Sequence, residues 1–226
     1  MIKIEETKVV GWEAAIRGMR NPKNSWEKSD SYWGVLEHNP YFFVGENDLK
    51  LMKSLVKVGS DHRKFLRYIV VSFDVTAPLY WWKEMETYRV GVAENPTDIE
   101  FNSCSTMHKI HDKEFTEDDF SHEHLINDIF PVAEEYVETY TDLLKDIVEA
   151  LNCARKKYLE TKDKRYWWQM IQLLPTSYNQ KRTVQLNYEV LLNMYHSRKD
   201  HKLDEWHTLC DWMKELPYFK QICLEG

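Results

Sequence analysis

The polar loop that ends at His108 carries the densest set of chemistry-bearing side chains in the sequence. In the run Asn102–His108 (NSCSTMH), six of seven residues carry a polar or ligand-capable side chain. Loops this rich in hydroxyl, amide and imidazole groups commonly bind a ligand. The sequence therefore predicts that the stretch from His62 to His108 forms a site.

Two residues of this loop, Cys104 and Ser105, are candidate nucleophiles. A nucleophilic hydroxyl or thiol needs a neighbouring base, and the sequence around them shows neither a Ser/His/Asp order nor a strand-to-helix elbow. We therefore favour a polar binding loop and keep the nucleophile as the alternative.

Histidines cluster just downstream. His108 and His111 are spaced i, i+3, and His122 and His124 follow, a pattern that suits a metal site. Because acidic polar turns also collect histidines for solubility, we favour that interpretation and predict no resident metal. Neither GxGxxG nor a Walker A motif is present, so a nucleotide or flavin would be held in another way.

A second group of polar side chains lies in the C-terminal third. Asn187, Asn193 and Arg198 follow one another at spacings of six and five, and we predict that they line a single helical side. Arg198 would be available for a phosphate or a carbonyl. The alternatives are that Asn187 only caps a helix and that Asn193 is only a tolerated polar residue.

The elements around the first group are well defined by pattern. Tyr68–Val75 (YIVVSFDV) is β-branched and aromatic, with apolar residues at every second position, which predicts a strand. Thr76 and Pro78 suit the start of a helix. That helix would deliver Tyr88 and Arg89 to a loop over Val90–Cys104.

The rest of the chain reads mainly as helices. The further predicted elements are an edge strand from Ile2 and Ile4, helix Trp12–Met19, an ordered loop Lys23–Gly45, a helix capped by Asn47 and ended by Gly59, a polar turn His111–His124 with a capping box of Thr116 and Asp119, helices Pro131–Thr161 and Tyr166–Leu174, strand Arg182–Asn187, and helices Tyr188–Ser197 and Leu203–Leu216. These elements predict an α+β fold, a sheet with flanking long helices, in a single domain of residues 1–226.

Composition narrows the function classes. A net charge of −7 argues against a general binder of nucleic-acid backbones, which needs a clustered basic face. The four cysteines form no CxxC pair and no secretory leader precedes them, so we expect reduced thiols and a cytoplasmic protein. No apolar run approaches the ~20 residues of a membrane span, so we expect no membrane partner.

The C-terminal segment resembles a known family, the flavin-dependent thymidylate synthases (thymidylate synthase complementing proteins). The run from Leu174-Pro175 to Asp204 is similar to the family's LP…N…N…R segment. Asn187 and Asn193 stand where the family has flavin-contacting asparagines, and Arg198 stands where it has a nucleotide-contacting arginine.

The upstream part resembles the same family. His62, the strand and Ala77-Pro78 follow the family's histidine–strand–Ala-Pro–helix order. The family signature RHRxxSxNxxSxRY is stretched by an insertion: Thr87-Tyr88-Arg89 stands for RHR, and Asn102–His108 stands for NxxSxRY. Within that signature, Arg89, Asn102 and Ser105 match.

The resemblance implies a homotetrameric flavoprotein that methylates dUMP reductively to dTMP. FAD would be the cofactor, with NADPH and methylenetetrahydrofolate as co-substrates. Ser105 would lie beside the reacting base, and Arg198 would contact the pyrimidine or the phosphate of the nucleotide. The residues that would position FAD are His62, Arg89, Asn102, Asn187 and Asn193.

The departures from the family fall on the substrate side. Thr87, Met107 and Ile171 stand at three positions where arginine is expected, and a neutral side chain cannot replace a charge-assisted bond to phosphate. Arg17, Arg20 and Arg67 are candidates to take over. The second hypothesis is therefore a non-catalytic or differently specific nucleotide- or flavin-binding protein on the same fold.

Overall fold

The computed structural model describes residues 1–90, 99–133 and 136–225, without the side chains of residues 89, 90, 99, 100, 106, 107, 131–133, 136 and 137. The α-helices of the described residues are α1 (Trp12–Arg20), α2 (Glu46–Val58), α3 (Leu79–Met85), α4 (Thr87–Val90), α5 (Thr106–Lys109), α6 (Tyr140–Thr161), α7 (Lys164–Gln172), α8 (Tyr188–Arg198) and α9 (Asp204–Glu215). The strands are β1 (Lys3–Val10), β2 (Tyr32–Leu36), β3 (Asn39–Phe43), β4 (Val70–Pro78), β5 (Ile99–Ser103), β6 (Ile129–Ala133), β7 (Tyr136–Thr139) and β8 (Asn179–Asn187).

The main sheet has four strands in the order β1-β4-β8-β5, and two further hairpins pair β2 with β3 and β6 with β7. Both strands predicted around the site, β4 and β8, are neighbours in this sheet, so the α+β prediction is confirmed. In β4, Val71, Phe73 and Val75 are buried and the residues between them are half-buried. This period of two is the one that the sequence predicted.

The described residues form two compact units. The first unit comprises Met1–Lys3, Val75–Thr87 and Asn102–Arg182, and the second comprises Ile4–Asp74, Tyr88–Phe101 and Thr183–Gly226. The core of the first unit packs α6 against α7 around Leu151 and Met170. The core of the second unit buries α8 and α9. The single domain expected from the sequence stays a prediction.

The helix predicted to begin at Pro131 begins at Tyr140 instead. Pro131 lies in β6, where it pairs with Val137 of β7. Thr139 is the true N-cap, and its hydroxyl accepts a hydrogen bond from the Asp142 N–H at 3.1 Å. The apolar residues on both sides of Pro131 favour a hairpin, so the proline marks a strand and not a first helical turn.

The ordered loop predicted over Lys23–Gly45 was wrong as well. After a 3-10 turn at Trp26–Lys28, the chain forms the β2–β3 hairpin, in which Leu36 pairs with Asn39. The two turn residues, Glu37 and His38, both have positive φ (47° and 68°). Type I′ turns require such angles, but they favour Asn and Gly, so the Glu-His pair concealed the hairpin.

The start of α2 differs from the prediction, and its end agrees. Gly45 is the N-cap, and Asn47 lies inside the first turn. The carboxylate of Asp30 accepts hydrogen bonds from the Asn47 and Asp48 N–H groups at 2.9 and 3.1 Å, so a distant residue caps the helix. Gly59 ends the helix with φ 120°.

Most other predicted boundaries hold within two residues. The Thr116 and Asp119 capping box is confirmed, as is the Asn187 cap of α8. The predicted loop Val90–Cys104 contains β5, and residues 91–98 lie outside the described part. No helix of that part is long and apolar enough to cross a lipid bilayer.

One buried ion pair ties the loop before β2 to two helices. Asp48 of α2 is fully buried, and its Oδ1 lies 2.6 Å from Nε of Arg20 at the end of α1. The hydroxyls of Ser29 and Ser31 each donate to Asp48 Oδ2 at 2.7 Å. Burial alone would raise the pKa of Asp48, but the hydrogen bonds from Ser31, Ser29 and Arg20 outweigh burial and lower it.

We expect Asp48→Asn to lower the free energy of unfolding by about 3 to 5 kcal/mol, because it leaves the buried Arg20 guanidinium without its counter-charge. Chemical denaturation measures this. As a control, Asp142→Asn removes the exposed pair with Lys145 and should change stability far less than Asp48→Asn. Equal losses of stability in the two variants would show that the buried pair stabilises the fold no more than the exposed pair does.

The Asp48→Asn variant should also change the way in which stability depends on pH. Because the folded-state pKa of Asp48 is lowered, its contribution to stability is present above the ordinary aspartate pKa. That contribution is lost as pH falls through the lowered folded-state value. Asp48→Asn should therefore flatten the acid limb of a stability-against-pH profile, and an unchanged limb would contradict the assignment.

Candidate functional site

The polar loop predicted as a site lies in the first unit and is fastened to β8. The Cys104 N–H donates to the Lys181 carbonyl at 3.1 Å, and Gln180 Nε2 donates to the Cys104 carbonyl at 2.8 Å. Ser105 is exposed and is the N-cap of the short α5, where its hydroxyl accepts from the His108 N–H at 3.4 Å. Asn102 is exposed on β5.

Two clefts of about 530 and 590 Å³ open beside this loop, and Cys104, Ser105 and Gln180 line both. Volumes of this size suit a small molecule. The smaller cleft is charged: Lys109, Lys113 and Lys181 face three aspartates there, namely Asp112, Asp118 and Asp119.

Two of these three lysines pair with the aspartates of the cleft. Lys113 Nζ lies 2.6 Å from Asp119, and Lys109 Nζ lies 3.0 Å from Asp112. The hydrogen bond to Asp119 raises the pKa of Lys113. Burial raises the pKa of Tyr178, which lines the same cleft, so its hydroxyl stays protonated near neutral pH. An anion that enters this cleft would have to compete with three carboxylates.

The larger cleft has an apolar wall. Leu79, Ile171 and Leu174 face the polar side chains of Ser103, Ser105 and His108. Ile171 also packs against the core of the first unit. It stands where the resemblance calls for an arginine, so in the first unit this position supplies apolar surface in place of a cation.

The second predicted group lies in the second unit, along α8. Asn187 is 4% exposed, and its Oδ1 accepts from the Val190 N–H at 3.0 Å, so it ends β8 and caps α8. Asn193 is exposed, and its Oδ1 accepts a hydrogen bond from Arg63 Nη2 at 3.0 Å. The capping alternative for Asn187 is thus confirmed, and its role toward a cofactor stays a prediction.

Arg198, at the end of α8, is held by two aromatic side chains. Its Nε donates to the Tyr88 hydroxyl at 2.7 Å. Its guanidinium carbon lies 4.6 Å from the centroid of the Trp206 ring and 5.3 Å from that of the Tyr88 ring. Stacking and a hydrogen bond together fix the direction of the guanidinium.

The prediction that Asn193 and Arg198 line a single helical side was wrong. At about 100° per residue, a spacing of five turns the helix through more than one full turn and leaves the two side chains about 140° apart. They contact different partners accordingly: Arg63 for Asn193, and Tyr88 and Trp206 for Arg198.

The structure adds an ionic cluster that the sequence analysis missed. Glu189, on the first turn of α8, accepts hydrogen bonds from Arg63 at 3.3 Å and from Arg67. Arg63 lies next to the 3-10 turn Lys64–Tyr68, which contains Arg67. The i, i+4 spacing of Glu189 and Asn193 was the available signal, because it places both on one helix face.

The remaining predicted residues are less informative. His62 lies exposed in the turn after α2, and its N–H donates to the Gly59 carbonyl at 3.1 Å. Thr87 donates to the Glu84 carbonyl at 2.7 Å. The side chains of Arg89 and Met107 lie outside the described part. Arg20, a candidate replacement cation, is engaged by Asp48. Among the described side chains, no three His, Cys, Asp or Glu groups are arranged to hold a metal ion.

Comparison with known proteins identifies the fold. No family model matches the sequence, and no curated protein matches it. Solved structures do match over the full chain. Flavin-dependent thymidylate synthase ThyX from Helicobacter pylori, complexed with FAD and dUMP, gives a TM-score of 0.65 at 16% identity and covers 99% of this chain and 98% of its own.

Two further structures agree. A second Helicobacter pylori ThyX with FAD and dUMP gives a TM-score of 0.65 at 16% identity, with 100% of this chain and 98% of that chain covered. The UMP/dUMP methylase PolB from Streptomyces cacaoi, bound with 5-Br dUMP, gives a TM-score of 0.59 at 15% identity. The match covers 100% of this chain and 95% of that chain. The chain has a ThyX-like fold.

We expect Asn187→Ala to lower the free energy of unfolding by about 1 kcal/mol, because the first turn of α8 loses the acceptor for the Val190 N–H. Urea denaturation measures the loss. Asn187→Ser is the matched control: its hydroxyl oxygen can accept the same bond without burying a charge, and the variant should retain most of the stability. If the serine variant were as unstable as the alanine variant, the cap would not be the reason.

Proposed function

We propose that this protein binds FAD and a pyrimidine nucleotide, and that it carries out, or is adapted from, the reductive methylation of dUMP to dTMP. The observation that supports this most is the full-length match to ThyX structures holding FAD and dUMP. The match to a dUMP methylase points to the same class of nucleotide chemistry.

The residues of α8 fit a flavin nucleotide in part. Asn193 is exposed, and a hydrogen bond from Arg63 restrains its side-chain amide. Asn193 could therefore contact a ligand without a large loss of side-chain entropy. Asn187 has its Oδ1 engaged in the cap of α8. His62, Arg89 and Asn102 complete the proposed FAD set. Bound flavin would supply the hydride, and the protein would orient it.

Arg198 is the residue that we propose to contact the nucleotide. Its guanidinium is directed by Tyr88 and Trp206, and a planar fork of donors recognises phosphate or a pyrimidine carbonyl. Ser105 would lie beside the reacting base. Its exposure and its place in both clefts of the first unit support this role.

A second candidate function is nucleotide or flavin binding without catalysis, or with another substrate. The observation that favours it is the engagement of the positions where the family has arginine: Thr87 bonds to the Glu84 carbonyl, and Ile171 packs into a core. Neither can replace a cation at a phosphate. Methylenetetrahydrofolate and NADPH are co-substrates only under the first candidate.

We expect FAD to bind detectably and dUMP to bind weakly. Each charge-assisted bond lost with an arginine is worth about 1.5 to 3 kcal/mol, or about tenfold or more in affinity. Calorimetric titration of the protein with each ligand measures both. Tight dUMP binding to the wild type would mean that other cations have taken over and that our interpretation of Thr87 and Ile171 is wrong.

We expect Arg198→Ala to abolish the dUMP binding that remains. Lys199→Ala is the matched control, because it removes one positive charge at the same helix end without touching Tyr88 or Trp206. The control should weaken dUMP binding by less than about threefold, since an exposed charge is screened. Equal losses in both variants would reduce the role of Arg198 to general electrostatics.

We further propose a homotetramer, as the family resemblance implies. Light scattering coupled to size exclusion should return four times the chain mass of 27.2 kDa at micromolar concentration. A monomer across that range would contradict the assembly while leaving the fold assignment intact.

A further inference from the structure

Asn193 occupies an unusual place on α8. Of residues 188–194, it is the one that is exposed, and its six neighbours in that run are buried. A helix buried on nearly every side has few positions from which to contact a ligand. The chemistry of this exposed position therefore depends on which end of the Asn193 amide faces outward.

The hydrogen bond from Arg63 decides the orientation of that amide. A guanidinium has five N–H donors and no acceptor, so only the amide oxygen of Asn193 can face it. Arg63 Nη2 lies 3.0 Å from Asn193 Oδ1. The NH₂ group therefore points away from Arg63, and the exposed end of the side chain offers hydrogen-bond donors.

Arg63 is itself held in place by Glu189. Glu189 is 7% exposed, and its two carboxylate oxygens accept from different arginines: Oε1 from Arg63 and Oε2 from Arg67. Glu189 and Asn193 are one helical turn apart on α8. The planar Arg63 guanidinium thus bridges both residues, which restrains its rotation as well as its position.

We propose that Arg63 is a positioning residue that presents the Asn193 amide as a donor, so that Asn193 and Arg63 form a donor face for a phosphate group. The face presents the N–H donors of the Asn193 amide and of the Arg63 guanidinium. Such a surface favours an anion rich in acceptors over a neutral ring edge. The proposal rests on the proposed function in taking that anion to be the diphosphate of FAD.

The first test needs no ligand. Nitrogen-15 relaxation of the Asn193 side-chain amide should show a well-ordered group in the wild type and a mobile group in Arg63→Gln. Arg67→Gln is the matched control: it removes the same charge and one contact to Glu189, but the hydrogen bond to Asn193 remains. An amide as ordered in Arg63→Gln as in the wild type overturns the positioning role, whatever the protein binds.

The second test uses FAD and riboflavin as probes, with flavin fluorescence as the readout. Arg63→Gln should weaken FAD binding about tenfold, the equivalent of one charge-assisted hydrogen bond, and Arg67→Gln by less than about threefold. Riboflavin lacks phosphate, so its affinity should hardly change. An equal loss for riboflavin, or equal losses in the two variants, overturns the phosphate assignment.

Asn193→Asp separates this role from a purely structural one. Aspartate keeps an oxygen for Arg63, so the variant should be at least as stable as the wild type, yet it loses the outward N–H donors and adds a negative charge. FAD affinity should fall at least tenfold. Unchanged affinity overturns the donor face. Failure of the wild type to bind any flavin would refute the proposed function, while the amide relaxation would still decide the role of Arg63.

Discussion

The hydrogen bond between the Val190 N–H and Asn187 Oδ1 sets the geometry on which the second unit's polar residues depend. It lies where β8 ends and α8 starts, and Asn187 is buried there. Because a helix advances by a fixed rotation, the directions of Glu189, Asn193 and Arg198 follow from that start. One amide side chain thereby directs two of these residues to Arg63 and the third to Tyr88 and Trp206.

Buried carboxylates give the arginines of this acidic chain defined positions. Asp48 holds Arg20 beneath the loop before β2, and Glu189 holds Arg63 and Arg67 beside α8. Each carboxylate is costly to bury alone and is stabilised only with its partners. The consequence for function is that Arg20 serves the fold, whereas the guanidiniums of Arg63 and Arg67 at Glu189 stay partly exposed.

The sequence predicted what local pattern determines. The alternation in Tyr68–Val75, the Thr116 capping box and the Asn187 cap are all signals within a few residues, and each is confirmed. The predictions from sequence were wrong where a residue far away in the chain determines the local structure. Asp30 caps α2 across the chain, so Asn47 was taken for the cap, and the pairing of Pro131 with Val137 made a strand out of an apparent helix start. The Arg63–Asn193 bond spans 130 positions and has no local signature.

We propose that the chain uses its ThyX-like fold to bind a flavin. The most direct measurement is the absorbance spectrum of the purified protein after addition of excess FAD and removal of free ligand by gel filtration. We expect flavin absorbance to co-elute with the protein and the retained flavin to be FAD. A colourless protein fraction, with all the flavin in the small-molecule fraction, would contradict it.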